Sequence, residues 1–336
     1  MARKNYLAIL ILLAFNTLTL VSQDLRKYYE NVFISEKFIF QNEFDSAFVY
    51  YNKANHVRNL FLQDAYNAAL TSVKIGEYTH ANLYIKKMIQ KGISYKYFKK
   101  DTNFINLVKS KYWDEDVFND VKPLYNVNLH NFLLNLLEKD QDCRKSNIDE
   151  KIRIDVDIAI GRIIDSLFAT YGYLSEELIG VFPKDNEHFP IAWSPLDMIL
   201  IHQVKLFNSK YKDFFEKSVL DGSMENKVLA MHSTNFLNDS NYIFKCFYLG
   251  NCDVLKIGKH YFTCGEDLEI LVNKNRLRIF MPPLSHSIKS VQLKLLYSDF
   301  KIGYKPAEYE NSDESKIEKK IEETKKDYKI IELQTH

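Results

Sequence analysis

The chain has 336 residues, with 45 basic against 44 acidic side chains, 23 Phe and 22 Tyr, but only 10 Gly and 7 Pro. This even balance, carried far more by Lys than by Arg, gives no electrostatic ground for nucleic-acid binding, and ten glycines leave little room for phosphate-cradling loops. Abundant aromatic residues with few chain breakers favour long helices around buried cores, and the length suits about two domains.

The first segment reads as an export signal. Arg3 and Lys4 precede the apolar run Leu7 to Phe15, Asn16 and Thr17 break it, and small or polar residues continue to Ser22 and Gln23. The run is shorter than the about 20 apolar residues that cross a bilayer. Residues 1–23 are therefore expected to be a cleaved signal, and the mature chain to be exported without a transmembrane anchor, to the periplasm, the outer envelope or the medium. The alternative is a retained apolar N-terminal helix. Loss of Arg3 and Lys4 leaves 43 basic residues against 44 acids.

Helical phrases come next. Leu25 to Gln41 reads as a helix, Asn42-Glu43 as a turn, and Phe44 to Lys53 as its return. Leu62 to Ile75, Gly76, and Tyr78 to Gln90 repeat the arrangement, with Gly92 as a helix-ending glycine. Residues 43–54 and 77–88 are one phrase written twice, 34 positions apart: Glu43/Glu77, Ala47/Ala81, Tyr50/Tyr84 and Lys53/Lys87 are identical. Ser35 and Ala69 place a small residue seven positions before each turn, where two helices approach closely. Over residues 25–92 the chain resembles the tetratricopeptide repeat, a 34-residue helical hairpin. The resemblance implies stacked hairpins that present a surface to a protein or peptide. Two departures stand out: Asn59 and Ile93 replace the helix-ending proline, and Met88 the usual small residue. Tyr97 to Trp113 is expected to cap the stack. Binding through the repeats requires an open inner face with exposed Tyr or Phe; otherwise the hairpins only support the C-terminal domain.

Pro123 marks the boundary between a repeat domain, 24–122, and an α-helical domain, 123–305. Leu129, Phe132, Leu133, Leu136 and Leu137 make an amphipathic helix, Ile152 to Tyr171 another that stops at Gly172. Ser194-Pro195-Leu196-Asp197 is a helix start with a cap, a first-turn proline and an acid three on, opening a helix with Leu196, Leu200, Val204 and Phe207 on one face. Asp267 to Phe280 reads as helix ended by Pro282-Pro283. Residues 306–336, dense in Lys and Glu, read as a charged helix or a disordered tail. The expected fold class is mostly α.

Cys246, Cys252 and Cys264 are candidates for a disulfide, with Cys246–Cys252 or Cys252–Cys264 favoured by proximity. Adding His232 and His260 to this trio matches no compact zinc spacing, so no metal and no cofactor are expected. Asp155 and Asp157 lack a calcium loop around them and are placed on the exposed side of their helix.

Residues 126–285 resemble, loosely, a family of uncharacterised domains of exported bacterial proteins. The likeness rests on Asp140-Gln141-x-x-Arg144 at the end of an apolar helix, Tyr171-Gly172, Ile179-Gly180, Leu200-Ile201-His202-Gln203, and Asn273-Lys-Asn-Arg276 ahead of Pro282. The family's usual Asp-Arg pair is replaced by Ser233-Thr234-Asn235, and its Tyr-Gly-Thr segment by Thr263-Cys264-Gly265. Taken as chemistry, Asp140, Arg144 and His202, with His232, are the candidate cluster: an acid to orient an imidazole and an Arg to hold an anion. A simple intrahelical Asp140–Arg144 pair and a structural histidine are the competing account. The leading expectation is an exported, non-enzymatic protein- or peptide-binding module. A hydrolase-like enzyme using Asp140, Arg144 and His202, and a structural envelope scaffold, are the alternatives.

Overall fold

The computed structural model describes residues 24–145, 148–181, 194–207, 210–233, 239–246, 253–296, 299–302, 307–309, 311 and 313–333. The expected signal, residues 1–23, lies outside these, as do Cys252 and Thr234-Asn235. The described chain is mostly helical with one small sheet. Helix α1 (residues 24–40) and α2 (Phe44–Val57) form the first hairpin, α3 (Leu62–Lys74) and α4 (Tyr78–Gln90) the second. The two halves of the 34-residue phrase take the same structural roles. Asn42 and Gly76 both turn with positive φ, 60° and 79°, and Glu43 and Glu77 occupy equivalent helix starts. Ala47/Ala81, Tyr51/Ile85 and Ala54/Met88 are all wholly buried, as are the small residues Ser35 and Ala69. Gly92, φ 110°, ends α4, where Ile93 N–H donates back to Met88 O at 3.1 Å. Short helices α5 (Tyr95–Lys100), α6 (Ile105–Val108) and α7 (Glu115–Asn119) close the stack, burying Phe98, Phe104 and Leu107 in the core of the repeats.

Beyond Pro123 come α8 (Val127–Asp142), α9 (Glu150–Tyr171), α10 (Glu176–Ile179), α11 (Pro195–Phe207), α12 (Lys212–Leu220) and α13 (Asn226–His232). Their starts obey the cap chemistry in the sequence. Asn126 Oδ1 accepts from Leu129 N–H at 3.0 Å to open α8. At α11, Ser194 N–H donates to Asp197 Oδ2 at 2.8 Å while Asp197 N–H donates back to Ser194 Oγ at 3.2 Å, a reciprocal capping box. Leu129, Leu133 and Leu136 bury one face of α8 against Ile160 and Ile164 of α9 and Leu196 and Leu200 of α11. Phe132, expected on that face, is instead 44% exposed.

The final third departs most from expectation. A four-stranded sheet is ordered β3 (Ala307–Tyr309), β1 (Leu255–Ile257), β2 (His260–Cys264), β4 (Tyr328–Ile331). Strands β1 and β2 form an antiparallel hairpin turning at Gly258, with Ile257 opposite His260; β3 joins β1 in parallel and β4 joins β2 antiparallel. Helices α14 (Glu266–Arg278), α15 (Leu284–Leu296) and α16 (Glu314–Thr324) accompany the sheet. Within 306–336 the expected charged helix is present as α16, but it also carries Ile317 and Ile321 onto the sheet core, and the flanking strands β3 and β4 pair with β1 and β2. The bridge joins Cys246 to Cys264, across 18 residues, rather than either neighbour to Cys252. Reducing it, or replacing Cys264 by Ser, is expected to cost about 3 kcal/mol through the freed loop alone, read as a drop in the urea midpoint that dithiothreitol reproduces in the native protein.

The inner helices of the hairpins do not face solvent. Every residue of α3 from Leu62 to Val73 is buried, and the later chain supplies the cover. Tyr29 stacks on Phe280, with centroids 6.0 Å apart, and its hydroxyl accepts from Asn226 N–H at 3.2 Å. Phe44 stacks on Phe300, Glu36 meets His286 at 2.5 Å, and Asn67 Oδ1 accepts from Lys301 N–H at 2.7 Å. The repeat core accordingly runs on into Val181, Phe280, Leu293, Phe300 and Ile302.

Candidate functional site

Three residues singled out from the sequence meet. Asp140 lies at the end of α8, Arg144 one turn beyond it, and His202 near the middle of α11. Asp140 is wholly buried, and its Oδ2 lies 2.9 Å from Nδ1 of His202. Arg144 Nη2 lies 3.0 Å from Asp140 Oδ1 and donates to Asp157 Oδ1 of α9 at 2.6 Å. Arg144 Nε also lies 2.9 Å from Nδ1 of His202. One ring nitrogen does not donate and accept at once; if Nδ1–H donates to the buried carboxylate, the stronger partner, then Nε2 carries the lone pair and Arg144 Nε–H loses this acceptor. Nε2 has no partner among the described residues, and the side chain is 22% exposed.

Two roles differ from expectation. Asp155 is exposed as its place on α9 suggests, but Asp157, expected beside it on the same open side, is buried because the helix turns it inward to meet Arg144. Arg144, expected to hold an anionic substrate, is already engaged by both carboxylates and by Cys143 Sγ, 2.9 Å from Nη1. Burial opposes its charge, yet the Asp157 hydrogen bond and the Asp140 charge leave its pKa above the usual value. It is a clamp rather than a hand. Gln203 strengthens the arrangement, donating to Asp157 O at 2.9 Å. Cys143 is no nucleophile: burial raises its thiol pKa and the Sγ donates to Asp140 O at 3.1 Å. His232 does not join the cluster. It is buried on α13 and pairs with Asp197 at 3.3 Å.

A second polar region lies along the seam between the hairpins and the later helices. Lys91, buried at the end of α4, donates to Leu60 O at 2.8 Å and pairs with Glu176 and, at 3.3 Å, Glu177. Arg58 donates to Gly222 O at 2.6 Å and meets Glu177 at 3.3 Å. Tyr28 donates to Asp64 Oδ2 at 2.5 Å. Glu225, at the start of α13, has Lys227 beside it at 3.6 Å. Burial, then the charges of Asp64 and Glu176 against the relief from Lys227, push Glu225 up to about 7. A carboxyl whose pKa is higher folded than unfolded lends stability at low pH and loses it as pH rises through the folded value. The protein is thus expected to be less stable at pH 8 than at pH 5.5 by about 2 kcal/mol. Urea titrations at both pH values test this, and Glu225→Gln should flatten the difference. Glu36, Glu177 and Asp253, held below the usual carboxylate range despite burial by His286, Lys91 and Arg276 respectively, act oppositely. Their contribution is lost only as pH falls through those depressed values.

Sequence reasoning missed Asp157 and the seam carboxylates. An inward turn at Asp157 carries no signal distinct from an exposed one when polar and apolar residues alternate along α9. Among the described residues no cluster of three His, Cys, Asp or Glu side chains is arranged to hold a metal ion. Cys246 and Cys264 are oxidised to each other and offer no thiolate. No described helix is long and apolar enough to cross a membrane.

Fold and site together define a mostly α protein: a short stack of helical hairpins packed on a second helical layer that holds an Asp–His–Arg–Asp cluster. Neither a known protein family, nor a curated protein, nor a solved structure matches the chain.

Proposed function

We propose that this protein is a hydrolase-type enzyme in which His202 acts as general base. The observation that carries this reading is the pairing of His202 Nδ1 with wholly buried Asp140, 2.9 Å apart, with Nε2 left unpartnered among the described residues on a side chain that is partly exposed. A buried carboxylate fixes the tautomer and stabilises the imidazolium once Nε2 has taken a proton from water. Arg144 and Asp157 hold the carboxylate in place. With the Cys143 thiol hydrogen-bonded to Asp140 O and Arg144, the attacking group in this reading is water and the substrate an ester or phosphoester. The hairpins, read as tetratricopeptide-like, serve this layer as a brace, and the apolar N-terminal segment directs export.

The test is a panel of chromogenic carboxylic and phosphoric esters. His202→Gln should lose at least about a hundredfold in rate while staying folded, since its amide N–H can take over the hydrogen bond to buried Asp140; circular dichroism verifies the fold. A wild-type protein inert across the panel, or a His202→Gln variant as active as wild type, refutes the reading.

One observation favours a binding function instead. An outer cavity of about 220 Å³ lies between the end of α4 and α10, lined by Lys87, Gln90, Tyr125 and Glu177, with Leu124 73% exposed at its rim. With the inner face of the hairpins covered, a peptide partner of the repeats would be received there.

A further inference from the structure

We propose that Lys87 is a covalent capture site for small aliphatic aldehydes, its side-chain amine condensing with the carbonyl to an imine inside the outer cavity between α4 and α10. The cavity has a volume of about 220 Å³, against the roughly 10–15 Å³ that one water needs. It admits a short carbon chain beside the amine, and Leu124 and Tyr125 give that chain an apolar wall. The inference is independent of the His202 cluster and of any peptide received in the cavity.

Two lysines one helical turn apart line this cavity and are held differently. Lys91 has an acceptor for each of its three N–H bonds, Leu60 O, Glu176 and Glu177, two of them carboxylates. That set holds it as ammonium. Lys87 Nζ donates to only two oxygens, Asn55 Oδ1 at 2.7 Å and Asn59 Oδ1 at 3.1 Å, both neutral amides, and it forms no ion pair among the described residues. Two acceptors match the two N–H bonds of a neutral amine and leave its third position to a lone pair. Burial and the Lys91 charge both lower the Lys87 pKa, the circumstances that make a lysine nucleophilic.

The repeat supplies an internal control. Lys53 is the counterpart of Lys87 in the first hairpin, but it is exposed, and its Nζ lies 4.1 Å from the centre of the Tyr50 ring. Lys87 is only partly exposed, so exposure alone would make Lys53 the faster of the two to react. In the step itself the Nζ lone pair bonds to the carbonyl carbon and the C=O π pair moves to oxygen. The two N–H protons pass by way of solvent to that oxygen, which departs as water. Nothing is oxidised or reduced.

Butanal with sodium cyanoborohydride, which reduces the imine to a stable butylamine, tests this on the whole protein near neutral pH, with adducts located by peptide mass spectrometry. Lys87 is expected to be labelled at least about tenfold faster than Lys53. Asn55→Asp sets a carboxylate against Nζ and should hold the amine as ammonium, slowing Lys87 by about tenfold while leaving Lys53 unchanged. Lys87→Arg keeps donors for both Asn oxygens and should lose the fast adduct. Circular dichroism verifies that both variants fold. Labelling of Lys87 no faster than Lys53, or an unchanged rate at Lys87 in folded Asn55→Asp, would overturn the proposal. A Lys87 that stays an ordinary solvated ammonium gives the first of these results.

Discussion

Replacing Gly180 by Ala is expected to destabilise the protein by about 3–5 kcal/mol. Gly180 ends α10 with φ 69° and ψ −173°, a region open essentially to glycine alone. An added Cβ would lie 2.8 Å from two ring carbons of Tyr125 and 3.0 Å from Lys91 O. The carbonyl is fixed, and the half-buried Tyr125 ring would have to shift toward the outer cavity it lines. Tyr125 is wedged beside Gly92 and against the His130 ring, 4.9 Å away, and Lys91 O accepts from Val181 N–H at 2.7 Å. Gly172 is the internal control. It has φ 72° and ψ −155°, but a Cβ there meets nothing within 4 Å. Gly172→Ala should thus show backbone strain alone, about 1–3 kcal/mol. The difference between the two urea midpoints isolates the close packing, and equal losses would mean that Tyr125 yields freely.

The other large effect is expected at Lys91. Lys91→Met should cost about 3–5 kcal/mol, because it strips the cation from a buried carboxylate instead of removing a pair. Glu176 would be left with one hydrogen bond, from Leu62 N–H at 3.3 Å, and with Glu177 still adjacent. The native lysine is charged: burial lowers its pKa, but Glu176 and Glu177 more than offset that and raise it. The double variant Lys91→Met with Glu176→Leu should recover much of the loss, since a pair removed together leaves no orphaned charge. A double variant no more stable than Lys91→Met would show that the ammonium acts chiefly through Leu60 O. Lowering the pH should also rescue the single variant, by protonating Glu176.

What was legible in the sequence was local. The 34-residue echo carries through to equal turns at Asn42 and Gly76 and equal burial at Ala47 and Ala81. Ser194-Pro195-Leu196-Asp197 marks a helix start because its chemistry is complete within four residues. Asp140 and Arg144 were legible as a pair for the same reason, and His202 as a candidate from its place in an apolar helix. Their convergence was not, since it depends on how α8, α9 and α11 cross. The strands escaped notice because such short segments carry too little periodicity, and Ala307 to Tyr309 becomes a strand only by pairing with Leu255 to Ile257. The Cys246–Cys264 bridge likewise skips the nearer Cys252, because β2 brings Cys264 back to Cys246. The covered inner face could be read only from the folded chain, because nothing in Tyr29 or Glu36 announces Phe280 or His286.

That cover sets a timetable for folding. Glu36 waits for His286, 250 residues later in the chain, and Asn67 for Lys301, 234 residues later. At about 5–20 residues per second, ribosomal synthesis separates such partners by roughly 12–50 seconds. During that interval the first hairpins have helices and turns of their own but no lid over Tyr29, Asp64 and Asn67. The nascent N-terminal third is therefore a sticky, half-finished surface, and the stage at which chaperone capture or misassembly would act lies before the last strand is made.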